Sequence, residues 1–320
     1  MLMRELAGGL ILYFVVAGAS WAKEPATRTF EFNYGAVLKD LPEGPSVRVW
    51  IPLPQNGDQQ QVEVASKDLP ANAKTTMEKK HGNKMFYFEP KGSGDANFHV
   101  TYKITRKELL GLKQPGKEKL TGKEKEKYLA ADALVPLGGK PKELIANLSL
   151  SDDPIEAGKQ LYLRTDEHMM YDKSRPGYGT GDANWACDSQ FGNCTDFHSL
   201  FISFARTSGL PAKFEIGFPL PPERGEGKIG GYHCWAQFYA PGHGWVPVDI
   251  SEADKHPEMK EYYFGNLTEN RVTFTQGRDL ELVPRQDGPP LNYFIYPYVE
   301  VDGKPWPKEK IELAFSFKDR

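Results

Sequence analysis

The stretch Gly192-Asn-Cys-Thr-Asp-Phe-His-Ser-Leu-Phe-Ile-Ser-Phe-Ala-Arg-Thr-Ser-Gly209 constrains this chain more than any other. Phe197, Leu200, Phe201, Phe204 and Ala205 recur at i, i+3, i+4 and i+7, which predicts a helix with one buried face, and Gly209 supplies its stop. Cys194 then falls on the first turn of that helix. Unsatisfied amide N–H groups and the helix dipole favour negative charge there, so the thiol pKa falls and a thiolate becomes available as a nucleophile. A buried structural cysteine is the alternative, because free cysteine is among the most buried residue types.

Downstream, Tyr232-His-Cys-Trp-Ala-Gln-Phe-Tyr239 and Gly244-Trp-Val-Pro-Val-Asp249 flank Pro241-Gly242, a hairpin signal. With the register centred on Pro241, His233 faces Asp249, Trp235 faces Pro247 and Gln237 faces Trp245, all six on one face. A carboxylate opposite an imidazole fixes its tautomer and stabilises its charged form. Cys194 at the end of that pair would complete a nucleophile, a base and an orienting acid.

The rest of the chain divides by pattern. Residues 1–22 resemble a secretory signal peptide: Leu6–Ala19 carries no charge, and Ser20-Trp-Ala22 places small residues at the cleavage positions. The run is short of the roughly 20 apolar residues that span a bilayer. Residues 23–110 form an N-terminal β domain, in which Thr29–Tyr34, Ser46–Ile51, Gln61–Ala65, Lys84–Phe88 and Phe98–Thr105 read as short strands separated by Gly/Pro/Asn clusters. Such spacing predicts a small antiparallel sandwich. Residues 111–130 are a charged connector. Residues 131–255 hold the catalytic core, with a capped helix from Ile155 to Tyr171 preceded by Ser151-Asp-Asp-Pro154. Residues 256–320 are a β-rich extension expected to pack onto the same sheet as the hairpin.

With 40 Lys+Arg against 43 Asp+Glu, the net charge of -3 carries no nucleic-acid footprint. An exported chain meets an oxidising compartment, where the three cysteines, Cys187, Cys194 and Cys234, allow at most one internal bridge. No cysteine precedes Cys187, so no lipid-attachment cysteine follows the leader.

Taken together, Gly192-x-Cys194-x-Asp196, Leu200-Phe-x-x-x-x-Arg206-x-x-Gly209-x-Pro-Ala212, His233-x-Trp235 and Gly244-Trp-x-Pro-x-Asp249 resemble the transglutaminase-like superfamily of papain-type Cys/His/Asp enzymes. The resemblance runs from Ile155 to Glu252. It implies an α+β fold: a papain-like transglutaminase core with an N-terminal antiparallel β-sandwich domain and a β-rich C-terminal extension. It also implies that Cys194 is the nucleophile, His233 the general acid/base and Asp249 its orienting partner. The chain departs from the pattern at Cys234, Lys213 and Ile250. Strand alternation sends Cys234 to the face opposite His233, away from the reacting thiol. A Cys187–Cys234 disulfide is therefore expected, closing a 48-residue loop and contributing roughly 4 kcal/mol on the chain-entropy model.

The implied chemistry is acyl transfer or hydrolysis at amide bonds of protein or peptide substrates, with no cofactor and no metal. Tyr171, Trp185 and Gln190 are the candidates for a second oxyanion donor. Cys187, Cys194, His198, His233 and Cys234 could be read as a zinc set, but none has the close Cys-x-x-Cys pairing of structural sites. His198 reads as a satisfied polar neighbour, Asp196 as a dipole-complementing residue, and Pro219–Gly231 as either a lid or a solvated loop. A periplasmic or secreted location follows from the leader, and no membrane association is expected after its removal. The alternative function is a non-catalytic protein- or peptide-binding module that retains the fold.

Overall fold

Alternation builds the first strand. In β1 (Thr27–Leu41), Phe30, Phe32, Tyr34, Ala36 and Leu38 are all buried while Glu31, Asn33 and Val37 between them are more exposed. The structure, a computed structural model, describes residues 24–113 and 119–320, so the expected leader lies outside the described residues. Strands β2 (Val47–Pro52), β3 (Gln60–Asp68), β4 (Lys74–Met77), β5 (Lys84–Phe88) and β6 (Gly94–Lys107) follow. Only β4 lacked a sequence signal; its two threonines are polar, and its place comes from pairing with β5. β1 and β6 pair antiparallel along nearly their whole lengths, from Thr27/Lys107 to Leu41/Gly94.

The helical part begins with α1 (Gly122–Leu129), whose Thr121/Glu124 capping box turns the charged stretch into an ordered helix. Next come α2 (Gly139–Ile145) and α3 (Pro154–His168), the latter capped by Asp153 with proline at its start. α4 (Ala183–Ser189) leads into α5 (Cys194–Thr207), which ends before Gly209 in the left-handed region. A second sheet follows: β7 (Ala212–Pro219), β8 (Glu226–Lys228), β9 (His233–Ala240), β10 (Gly244–Val248), the short helix α6 (Ile250–Lys255) and β11 (Arg271–Gln276). Its strand order is β10-β9-β7-β11, with β8 elsewhere. α5 packs on one face of this sheet, where Phe201 meets Phe238 at 6.2 Å between ring centroids.

The last strands are β12 (Tyr298–Val301), β13 (Lys304–Pro305) and β14 (Ile311–Asp319). The extension is β-rich, as expected, but only β11 joins the hairpin's sheet. β14 pairs with β1 in a five-stranded sheet ordered β8-β14-β1-β6-β3, and β12 pairs with β2 in a second one ordered β13-β12-β2-β5-β4. The reason is apolar demand: β1 exposes a long aromatic face that β2–β6 alone do not cover. One end of that face meets the second sheet through Phe98 and Phe88 at 5.8 Å. The other meets the four-stranded sheet, with Phe218 4.6 Å from Phe315, 5.1 Å from Phe32 and 5.2 Å from Phe274. The sandwich and the sheet of the hairpin thus share one core. The Pro219–Gly231 segment is tied into it as well, since β8 pairs with β14 and the Pro221 and Glu223 carbonyls accept from buried Arg28.

Candidate active site

Cys194 occupies the first turn of α5, as its sequence position predicts. Asn193 caps the helix by accepting from the Thr195 N–H (2.9 Å), and Asp196 completes a capping box by accepting from the Asn193 N–H (3.0 Å). Asp196 does more than complement the dipole. Fully buried, it also accepts from Gly179 N–H (2.7 Å) and Gly181 N–H (2.9 Å), tying the glycine-rich loop to the helix start. Both glycines have positive φ, which turns their amides toward the carboxylate.

His233 starts β9 beside this helix end. Its Nε2 donates to Asp249 Oδ2 at 2.8 Å, which leaves Nδ1 for the sulfur, and the imidazole and the Cys194 thiol share a hydrogen bond. The structure therefore brings all three residues together, by a register other than the expected one. Ala240 pairs with Gly244 across a three-residue connection, so Gln237 faces Pro247 and Tyr239 faces Trp245. The turn centres on Gly242, whose positive φ a proline-centred turn would not use. Shifting the centre by one residue changes each partner by two, which preserves the faces: His233, Trp235, Gln237 and Asp249 keep the same side. Asp249 lies past the end of β10 and caps α6, reaching His233 diagonally.

Four donors converge on the Asp249 carboxylate: His233 Nε2, Arg271 Nη1 (2.9 Å), Ser251 Oγ (3.3 Å) and the Glu252 N–H (3.2 Å). Burial alone would raise its pKa, but the charges of His233 and Arg271 outweigh that and hold it far below the usual carboxylate range. Burial likewise works against a charged His233, yet Asp249 and the neighbouring thiolate push its pKa up to about 10. For Cys194, burial opposes ionisation; hydrogen bonds from Cys234 and His233, with the imidazolium charge, win and hold the thiol well below its ordinary value. The favoured state is a thiolate–imidazolium pair.

Cys234 corrects two expectations. Its side chain does point to the face opposite His233, but α5 packs on that very face. The Cys234 sulfur lies 3.9 Å from Thr195 Oγ1 and 3.8 Å from His198 Nδ1, and its S–H is a hydrogen-bond partner of Cys194. No Cys187–Cys234 bridge is present; all three cysteines are unbridged. His198 is a satisfied neighbour, as read, and its tautomer is legible. The Ile250 N–H donates to Nε2 (3.0 Å), so Nδ1 carries the proton and donates to the Cys194 carbonyl (2.8 Å). Burial lowers its pKa to about 4 and keeps it neutral. This imidazole pins the turn bearing the nucleophile to the start of α6, beside Asp249.

Cys194 is 3% exposed and opens onto a cavity of about 770 Å³ walled by Tyr171, Tyr178, Tyr232, Tyr293 and Tyr296. Of the three second-donor candidates, only Tyr171 lines this cavity. Trp185 packs against Phe191 (5.3 Å), and Gln190 ends α4 in the left-handed region. His233, Asp249 and Glu252 place ligand atoms near one another in a manner a cation could use, but Asp249 Oδ2 already accepts from two cationic donors.

The family model of the transglutaminase-like superfamily matches residues 142–250, the span from α2 to the first residue of α6. Over 318 aligned residues the chain is 30% identical to an uncharacterised protein of Haemophilus influenzae, with 86% of each covered. The chain belongs to the transglutaminase-like superfamily. Among solved structures, a candidate cysteine protease from Cytophaga hutchinsonii superposes with a TM-score of 0.55 at 13% identity, over 92% of this chain and 100% of that one. The periplasmic domain of TgpA from Pseudomonas aeruginosa aligns over 76% of this chain and 98% of its own, with a TM-score of 0.40 and 15% identity. In this transglutaminase-like core, sequence reasoning missed Arg271, the cation on Asp249, and the tyrosines of the C-terminal segment. The density of tyrosine in Tyr293-Phe-Ile-Tyr296-Pro-Tyr298 was the available signal for the cleft wall. Arg271 had none, because its strand comes from outside the four motif blocks.

Proposed function

We propose that this protein is a cysteine-dependent enzyme of acyl transfer or hydrolysis, acting on amide bonds of protein or peptide substrates. The observation that carries the proposal is the buried Cys194–His233–Asp249–Arg271 charge chain ending in a thiolate at the floor of a tyrosine-walled cleft. Cys194 Sγ attacks the amide carbonyl carbon, and the carbonyl π electrons move to oxygen. The Cys194 backbone N–H, in the first turn of α5, and Tyr171, which lines the cavity, are the donors assigned to the developing oxyanion. His233 gives its proton to the departing amine as the C–N bond breaks, leaving a thioester. Water or a second amine then attacks, with His233 taking the proton. Asp249 and Arg271 hold the imidazole rather than touch substrate.

We place the protein in an exported, periplasmic or secreted setting, on the strength of the leader-like segment 1–22. No helix among the described residues is long and apolar enough to cross a membrane. The test is incubation of the full chain with a glutamine-rich protein and a labelled primary amine, followed by mass spectrometry. Cleavage, deamidation or amine incorporation that disappears in Cys194→Ala is expected. A panel of proteins left unchanged, together with a Cys194 thiol that titrates near 9, would favour the binding module.

A further inference from the structure

On the side of the four-stranded sheet away from α5 lies a second cavity, of about 370 Å³, between that sheet and the sandwich. We propose that it is a binding site for a small ligand bearing a carboxylate, seated on Arg106. Three other buried guanidinium groups of this fold are fully partnered. Arg28 donates from Nε to Asp319 Oδ1 (2.7 Å), from Nη1 to Pro221 O and Asn270 Oδ1, and from Nη2 to Glu223 O and Asp319 Oδ2. Arg206 bonds Asp132 (2.6 Å) and the carbonyls of Ala130 and Ala212. Arg278 is held by Asn292, Ser199 and the Gly181 carbonyl.

Arg271 leaves its Nε without a partner, but its Nη1 bonds the Asp249 carboxylate; Arg106 bonds no carboxylate at all. It is 4% exposed, its Nε has no partner, and among the described residues its one hydrogen bond is a long contact from Nη1 to Thr273 Oγ1 at 3.3 Å. Arg106 lines the cavity, and its Nη2 has no hydrogen bond to any described residue. Burial and the nearby charge of Arg271 bring its pKa down to about 10, and the charge of Glu215 only partly offsets them.

The wall has two carboxylates, and neither bonds Arg106: Asp58 is exposed to solvent, and Glu215, whose charge does reach Arg106, makes its bonds elsewhere. Glu215 is committed to Lys213 Nζ (3.1 Å) and to the Trp235 indole N–H (2.7 Å), and Lys213 also rests over the Trp245 ring. Arg271 is committed to Asp249. That leaves the Arg106 guanidinium as the one buried cation of the wall with no bonded carboxylate, and its planar fork matches the two oxygens of a carboxylate. Gln237, buried on the same face, presents its amide to the cavity as a further polar contact. The volume suits a group the size of an amino acid or the end of a peptide.

The experiment is isothermal titration calorimetry on the full chain with Cys194 blocked by iodoacetamide, which separates this cavity from the tyrosine-walled cleft and from the chemistry proposed there. The probes are malonate, for a free organic acid, and N-acetyl-Gly-Gly with a free or an amidated C-terminus, for a chain end. Saturable one-site binding of malonate or of the free acid is expected, at least about tenfold weaker in Arg106→Gln and in Gln237→Leu. Because Arg106→Gln removes a buried cation with no bonded carboxylate, its melting temperature in buffer is expected to match or exceed that of the parent, while the rise on adding the probe is lost. The proposal is overturned by no saturable binding up to about 10 mM, by equal binding of acid and amide, or by binding that neither substitution changes.

Discussion

Replacing Asp249 with asparagine tests the charge chain at its middle. In the native protein the carboxylate holds His233 up to about 10 against a reference of 6.5, so the imidazole carries its proton at pH 7 and the sulfur does not. Asparagine keeps the shape and removes the charge. Burial, the largest influence on His233 and the one that lowers its pKa, then acts without the carboxylate's opposition, and the imidazole becomes neutral. Without its imidazolium partner the sulfur returns to 9 or above, since burial raises it too. A thiol of pKa 9 is about 1% ionised at pH 7, so alkylation of Cys194 by iodoacetamide is expected to slow about 100-fold there and to recover above pH 9. The change also strands Arg271, whose Nη1 partner is Asp249 Oδ2 at 2.9 Å, and stability is expected to fall by about 3–5 kcal/mol in urea. The assay is the rate of Cys194 labelling from pH 5 to 10, read by intact mass, with near-ultraviolet circular dichroism showing that the variant is folded at each point. A labelling profile that superimposes on the parent's would refute the reasoning, because it would mean that the sulfur's ionisation owes nothing to the carboxylate.

Three further outcomes follow from the same geometry. Cys234→Ala removes a hydrogen bond that lowers the Cys194 pKa, so the labelling profile is expected to shift to higher pH while the fold is retained; an unchanged profile would show that the contact is idle. Gly217 sits opposite His233, and a Cβ there would lie 1.8 Å from the Val272 carbonyl oxygen; Gly217→Ala is expected to cost about 1–3 kcal/mol and to slow Cys194 labelling by displacing Arg271, both read beside the parent. The pH dependence of stability is the third. A raised His233 gives stabilisation that is complete below 6.5 and lost as pH rises toward about 10, while a depressed Cys194 gives stabilisation that is complete above 9 and lost as pH falls toward its folded value. Between 6.5 and 9 the two slopes cancel, so their joint contribution is flat; in Cys194→Ala the cancellation ends, and urea stability is expected to decline from 6.5 up to the His233 pKa that Asp249 sustains without the thiolate, by up to about 1.4 kcal/mol per pH unit.

How much of this was legible in the sequence depends on how local each cause is. The α5 cap, its buried face and its Gly209 stop are set within eighteen residues, and all were readable. So were the faces of β9 and β10, because alternation survives a shift of one residue in the turn centre; the cross-strand partners were not, since turn length depends on whether Gly242 or Pro241 takes the central position. Cys234 shows the limit most clearly. Its direction out of the strand was correct, yet the conclusion failed, because which face a helix covers is a property of the assembled sheet. The return of β14 to β1, and with it the placing of β11 and Arg271, depends on pairing between ends of the chain nearly 300 residues apart, for which periodicity carries no signal. The consequence reaches the chemistry. Aromatic packing of Phe218 and Phe274 against Phe32 and Phe315 seats β11 at the sheet edge, and β11 brings Arg271 to Asp249. The ionisation of one sulfur thus rests on the sandwich as well as on the motif, and a sandwich variant that loosens this aromatic cluster should raise the Cys194 pKa without touching the site.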